Sequence, residues 1–238
     1  MFSSPTWWLD KLYLLPGVLA GLVFHEFWHG YAAYLMGDPT AKNAGRLTFN
    51  PLKHLDVLGT ALLVFFRFGW AKPVPFNPAN FKDQRRGVLV TTAAGPLANL
   101  ALALALGLVM NFLVGRVIAA PAAFQNSWFK LAYLLTFNAF YINIVLAIFN
   151  LLPLPPLDGS HILWALLPMN AARTYGRFFE RYGHVALIVF AVFLVLGPDF
   201  GVPVFQWIIM PPLKALIRLF SGHDLAELWY VYVAAAGF

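Results

Sequence analysis

Apolar residues along the chain fall into long blocks separated by short polar or proline-rich stretches. Residues 12–36 are the first block, about 37 Å long as a helix and so longer than a roughly 30 Å hydrocarbon core. Gly37-Asp38-Pro39 ends it, and residues 38–54 are polar and turn-rich. Leu55 to Trp70 is apolar but short, with Asp56 at its start and Arg67 near its end, which predicts a re-entrant or interfacial piece rather than a full span. Residues 71–86 carry Pro73, Pro75 and Pro78, so extended chain or loop is expected there. Residues 87–115 hold no charge and predict a span, with Gly95, Pro96 and Asn99 in its first half. After a predicted loop at 116–130, residues 131–157 are again uncharged and contain Asn138, Asn143 and Asn150. Pro153, Pro155 and Pro156 break that span just before Asp158-Gly159. Residues 160–181 give a short apolar piece and then Arg173, Arg177 and Arg181. A short span at 182–198, an apolar segment at 200–220 kinked at Pro211-Pro212 and an aromatic, interfacial tail at 221–238 complete the chain.

This pattern predicts an all-α polytopic membrane protein with about five transmembrane helices plus one re-entrant or extended segment. Composition agrees: 61% of the 238 residues are hydrophobic and only 11% charged, with a mean hydropathy of +0.71, against about 25% charged in soluble domains. The short loops leave no room for a separate soluble domain, so residues 1–238 read as one integral membrane domain. A net charge of +6 does not imply nucleic acid as a partner, because the basic residues sit in loops between apolar blocks. Lys42, Arg46, Lys53, Lys72, Lys82, Arg85, Arg86, Arg173, Arg177, Arg181, Lys214 and Arg218 fall on one side of this scheme, and Lys11, Arg116 and Lys130 on the other. The positive-inside rule then places the N-terminus outside and the C-terminus in the cytoplasm of a cell-membrane protein. The first apolar block carries the chain's most reactive residues, so it is expected to be retained rather than cleaved as a signal. No cysteine is present, which excludes disulfides and thiolate metal sites.

The chemistry lies in His25-Glu26-Phe27-Trp28-His29. Two histidines four residues apart share one helix face and can converge on a metal. Glu26 follows the first of them, where it could take the proton of a water held at that metal. A polar helix-packing seam is the plainer explanation, but ionisable groups gain little in a lipid-embedded seam. A catalytic zinc wants three protein ligands. Glu180 and Glu227 lie near charged loops, Asp10 and Asp199 on the predicted outside, and Asp38, Asp56 and Asp83 in polar loops or at element ends. Asp158 follows a broken span at the depth of His29, so His25, His29 and Asp158 are the candidate metal ligands.

With Asn150-Leu-Leu-Pro-Leu-Pro-Pro-Leu-Asp158-Gly159, the His-Glu-x-x-His segment resembles the site-2 protease family of intramembrane zinc metalloproteases. Gly95-Pro96-Leu97-Ala98-Asn99 resembles a family feature in the intervening span. Gly45 to His54 and Gly69 to Pro75 look like the compact prokaryotic branch, which lacks the PDZ domain of other members. The resemblance implies a site-2 protease-like catalytic core at about 11–167, followed by C-terminal helices at 182–220. It implies one zinc ion (Zn2+) held by His25, His29 and Asp158, and Glu26 as general base and later acid. Asn150 would position substrate or stabilise the oxyanion, or else serve as a helix-packing amide. The implied partner is a membrane-anchored, single-span protein, cut in or near its membrane segment by the cytoplasmic face. The turn-rich pieces at 43–51 and 71–78 could pair with the opened substrate as an added strand. A metal transporter or sensor using the same three residues is the alternative, and an inactive relative a third. His161 and His54 are expected to support the site or the fold, and His184 and His223 to be incidental.

Overall fold

The computed structural model describes residues 7–57, 59–60, 71–196 and 203–236, and the described residues form helices and no strands. Helix α1, Trp7–Leu35, carries the two histidines past its midpoint. A one-turn helix α2, Thr40–Asn43, follows the polar Gly37-Asp38-Pro39 stop. Among the described residues between α2 and 80, 3-10 turns form at Pro51–Lys53 and Pro78–Asn80, each begun by an asparagine side chain accepting from the backbone two residues on. Lys72 N–H donates to His54 O at 2.7 Å beside a single antiparallel bridge between Leu55 and Ala71. The predicted re-entrant piece lies largely outside the described residues, at 58 and 61–70.

Helix α3, Gln84–Ala119, starts where the Asp83 carboxylate accepts from Arg86 N–H. Helix α4, Ser127–Asn150, starts where Asn126 accepts from Trp128 and Phe129 N–H. The predicted loop at 116–130 is therefore mostly helical: α3 runs to Ala119, a 3-10 turn covers Pro121–Gln125 and α4 begins at once. Arg116 and Lys130 mark the ends of helices rather than a loop, because long side chains can reach outward from a terminal turn. Both α3 and α4 are long and apolar enough to cross a membrane. In α1, His25, Glu26 and His29 dilute the apolar character of an equally long helix.

The prolines after Asn150 stop α4, and the chain doubles back into α5, Asp158–Leu166. At the fold-back Gly159 lies on the backbone of Leu151, where any Cβ would collide with the Leu151 carbonyl. Helix α6, Met169–Leu196, joins Arg173, Arg177 and Arg181 and the predicted span at 182–198 into one continuous helix. Pro211 and Pro212 sit in the first turn of α7, Met210–Ser221, where a missing N–H costs nothing. They follow directly on a π-helical stretch at Phe205–Ile209, with Ile209 and Met210 both in helical backbone, so the irregular turn lies just ahead of the two prolines. The tail forms helix α8, Leu225–Ala236, which packs on α4 through buried Leu228, Tyr232 and Ala235.

Helices α1, α3 and α4 pack on one another, and α5 packs on α3. Gly17 lets α1 approach α4, since a Cβ there would sit 2.6 Å from Ala139 Cα. The main apolar core lies towards the other end of α3 and α4, where Met110, Tyr133, Phe137, Phe140 and Ile144 meet Leu213 and Ile217 of α7 and Leu228 of α8. Large apolar side chains such as Leu97, Leu104, Leu108 and Phe112 stay exposed along α3. That surface is what a helix facing lipid presents.

Candidate metal centre

Two faces with the same spacing meet between α1 and α3. Gly21, His25 and His29 recur every four residues on α1, and Thr91, Gly95 and Asn99 every four on α3. Each histidine is fixed by a partner on α3. His25 Nδ1 lies 2.6 Å from Asn99 Oδ1. The Asn99 amide NH2 donates to Gly21 O at 3.0 Å and Asn143 Oδ1 at 2.8 Å, so its oxygen is free to accept. Asn143 on α4 in turn donates to Ala139 O at 2.8 Å. His29 Nδ1 lies 2.7 Å from Thr91 O, a carbonyl that can only accept. Both rings therefore carry their proton on Nδ1, which leaves a lone pair on each Nε2.

Those lone pairs point at one another and at Asp158. The two Nε2 atoms are 2.9 Å apart, and Asp158 Oδ2 lies 3.1 Å from that of His25 and 3.2 Å from that of His29. With both rings protonated on Nδ1, three acceptors face one another without a proton between them. Asp158 Oδ2 is buried and receives no hydrogen bond. Such a cluster is costly unless a cation sits in it. A tetrahedral ion with bonds of about 2.0–2.1 Å has ligand–ligand edges of about 3.3–3.4 Å, so these side chains need to open by only a few tenths of an ångström to fit one. Two imidazoles and one carboxylate suit zinc, with a fourth position left open. Gly95 makes the room, since a Cβ there would overlap the His29 ring and sit 2.8 Å from His25 Cε1.

The remaining parts hold this pocket in place. Arg85 on α3 donates to Trp164 O, Ala165 O and Leu167 O, which caps α5 at the end opposite Asp158. Glu26 Oε2 accepts from the Val74 N–H at 2.8 Å, so the proline-rich segment reaches the carboxylate beside the cluster. That segment is tied down further. Arg46 donates to Lys72 O at 2.6 Å and Pro73 O at 3.1 Å. Buried Asp38 accepts from Asn77 N–H at 2.6 Å and the Asn80 amide at 2.7 Å. Burial alone would raise the Asp38 carboxyl, but hydrogen bonds from Thr40, Asn80 and Asn77 outweigh it and hold the group below the usual carboxylate range. With Lys72 N–H, Val74 N–H and the carbonyls of Lys72 and Pro73 all engaged, the 72–74 stretch has few groups left for strand pairing with a substrate.

His25, His29 and Asp158 are thus brought together from elements 129 residues apart in the chain, the separation between His29 and Asp158. Asn150 turns its amide back to Leu146 O of its own helix at 2.9 Å. His54 is buried and donates through Nε2 to Thr48 O at 2.7 Å, within the loop it anchors. His161 is exposed, with Nδ1 at 3.3 Å from Ser160 Oγ, and His223 pairs with Glu227 on the far side of the bundle. Sequence reasoning gave Asn99 an interhelical partner without naming it, and did not single out Asn143, Arg46 or Val74. The matching four-residue spacing of Thr91, Gly95 and Asn99 was the available signal for the α3 face.

Fold and site define a helical membrane protein with a two-histidine, one-carboxylate metal centre beside a half-buried glutamate. Residues 13–196 match peptidase family M50, and the chain belongs to that family. A protein of Bacillus subtilis named "Putative zinc metalloprotease YwhC" is 38% identical over 88% of this chain and 91% of its own length. "Putative zinc metalloprotease Rip2" of Mycolicibacterium smegmatis is 33% identical over 91% of this chain and 80% of its own. "Putative zinc metalloprotease MJ0611" of Methanocaldococcus jannaschii is 30% identical over 69% of this chain and 80% of its own. No solved structure matches this one.

Proposed function

We propose that this M50 peptidase is a zinc-dependent intramembrane endopeptidase that cuts a membrane-anchored protein in or near its transmembrane segment. The observation that carries this reading is the convergence of His25 Nε2, His29 Nε2 and Asp158 Oδ2 within 3.2 Å, next to Glu26. His25, His29 and Asp158 would hold a zinc ion, which would supply Lewis acidity towards the scissile carbonyl and the attacking water. Glu26 takes the proton of the attacking water and later returns it to the leaving amine. Asn99 and Thr91 keep both imidazoles in the tautomer that presents Nε2 to the metal. A helical substrate hides its carbonyls in its own hydrogen bonds, so it unwinds locally before it is cut. Asn150, released from Leu146 O, has an amide that can donate to the opened substrate. The five-span topology, with the N-terminus outside and the site towards the cytoplasm, is part of the same proposal.

The test uses purified protein in detergent, with zinc content and cleavage of fluorescein-labelled casein as readouts. Casein is largely unfolded and needs no unwinding. A single-span reporter in vesicles, with glycine and proline in its helix, then tests cleavage within the bilayer. Wild type should hold about one zinc per chain. Glu26→Gln should keep the zinc and lose cleavage, and Asp158→Ala should lose both. Normal cleavage by Glu26→Gln would remove Glu26 as the base.

A further inference from the structure

One peptide unit joins a buried cation to the carboxylate beside the metal centre. The Pro73 carbonyl accepts from Arg46 Nη1 at 3.1 Å, and the N–H of that same peptide, belonging to Val74, donates to Glu26 Oε2 at 2.8 Å. Arg46 is only 7% exposed, and no carboxylate lies within ion-pair distance of it among the described residues. Its Nε is buried without a partner. A buried guanidinium without a counter-ion is costly. What offsets the cost here is the pair of carbonyls at 72 and 73 and, across the 73–74 peptide, the charge of Glu26.

The sequence around that peptide restricts it to this use. Pro73 and Pro75 have no N–H, so Val74 is the sole backbone donor of the Pro73-Val74-Pro75 stretch. Pro75 also confines Val74, the residue before it, to extended backbone, which limits how far the N–H can rotate away. The near end is held by Lys72 N–H on His54 O and the far end by Asn77 N–H on Asp38. A cation on the carbonyl side polarises the amide and strengthens the N–H as a donor to an anion.

We propose that Arg46, acting through the Pro73–Val74 peptide, is a positioning residue that fixes the Glu26 carboxylate against the metal centre. This role rests on Glu26 being the base proposed above. A glutamate has three side-chain torsions, and holding one oxygen from a rigid segment selects the orientation in which the other faces the reacting water. The clamp acts on orientation, so its loss slows turnover without weakening substrate or metal binding.

The experiment labels valine and lysine with 15N in the full-length protein in detergent and follows the Val74 and Lys72 amides. In wild type the Val74 proton should lie downfield and exchange slowly, as expected for a buried donor to a carboxylate. In Arg46→Gln it should move upfield and exchange about tenfold faster or more, although the substitution is on the other side of the peptide. Arg46→Lys should fall between the two. The Lys72 amide, bonded to His54 O, should stay protected in every variant, and zinc per chain should not change. On casein, Arg46→Gln should lower kcat about tenfold or more, with KM within about twofold. An unaltered Val74 amide in Arg46→Gln would overturn the proposal. So would an equal loss of protection at Lys72, because the segment would then have melted as a whole. Glu26→Gln separates the two readings: if it cleaves normally, the base assignment fails. If it is inactive while Arg46→Gln turns over at the wild-type rate, the clamp alone fails.

Discussion

Helices α3 and α4 are each two different objects along their length. Around Thr91, Gly95, Asn99 and Asn143 they are polar, and a chain of acceptors fixes the site: Asn143 Oδ1 accepts from Asn99, Asn99 Oδ1 from His25 and Thr91 O from His29. Around Met110, Tyr133, Phe137 and Phe140 the same helices pack side chain on side chain against α7 and α8. The difference lies in direction. Apolar packing is tolerant of which residue fills a volume, provided that the volume is kept. A polar network in low dielectric is not, because one missing donor leaves its partner buried and unpaired. The polar half therefore specifies tautomers and lone pairs, and the apolar half supplies the rigidity that keeps them aligned.

Four substitutions break or sharpen this contrast. Gly95→Ala should have the largest effect, since its Cβ overlaps the His29 ring. Zinc content should fall to near zero by metal analysis, while the bundle still folds by circular dichroism. Phe140→Ala, in the apolar half, should cost about 3–5 kcal/mol of stability in denaturant titrations and leave zinc affinity unchanged. Zinc loss from that variant in its folded state would mean that the two halves are one unit. Asn99→Ala should weaken zinc binding about 10–100-fold in competition with a chelator, by freeing the His25 tautomer. The smallest effect belongs to Tyr133→Phe, which removes the hydroxyl donor to Leu228 O at 2.8 Å and should cost about 1 kcal/mol with activity intact.

Legibility followed the same division. The helix carrying the histidines, the two long uncharged helices and the break before Asp158 were all readable, because apolar length and proline are local properties of the chain. Helix ends were less so. The expected loop at 116–130 is mostly helix, since Ala119, Pro121 and Asn126 let one helix stop and the next start within a few residues. At Pro211-Pro212, where a kink is expected, a π-helical stretch at Phe205–Ile209 runs straight into the α-helix, an irregularity the prolines signalled without giving its form.

By itself the sequence determined which residues could bind a metal: His25 and His29 share a face through helical periodicity, and Asp158 follows three prolines that end a span. It also determined that Val74 would be a lone donor, because its neighbours are prolines. Only the tertiary structure decided what each of these groups meets. Asn99 reaches His25 across 74 positions, and Val74 reaches Glu26 across 48. Such pairings depend on how rigid helices and pinned loops dock, and a hydrogen bond fails over a displacement of about an ångström. No local pattern carries that precision, so the chemistry of the site was written in residue types and its alignment in the packing.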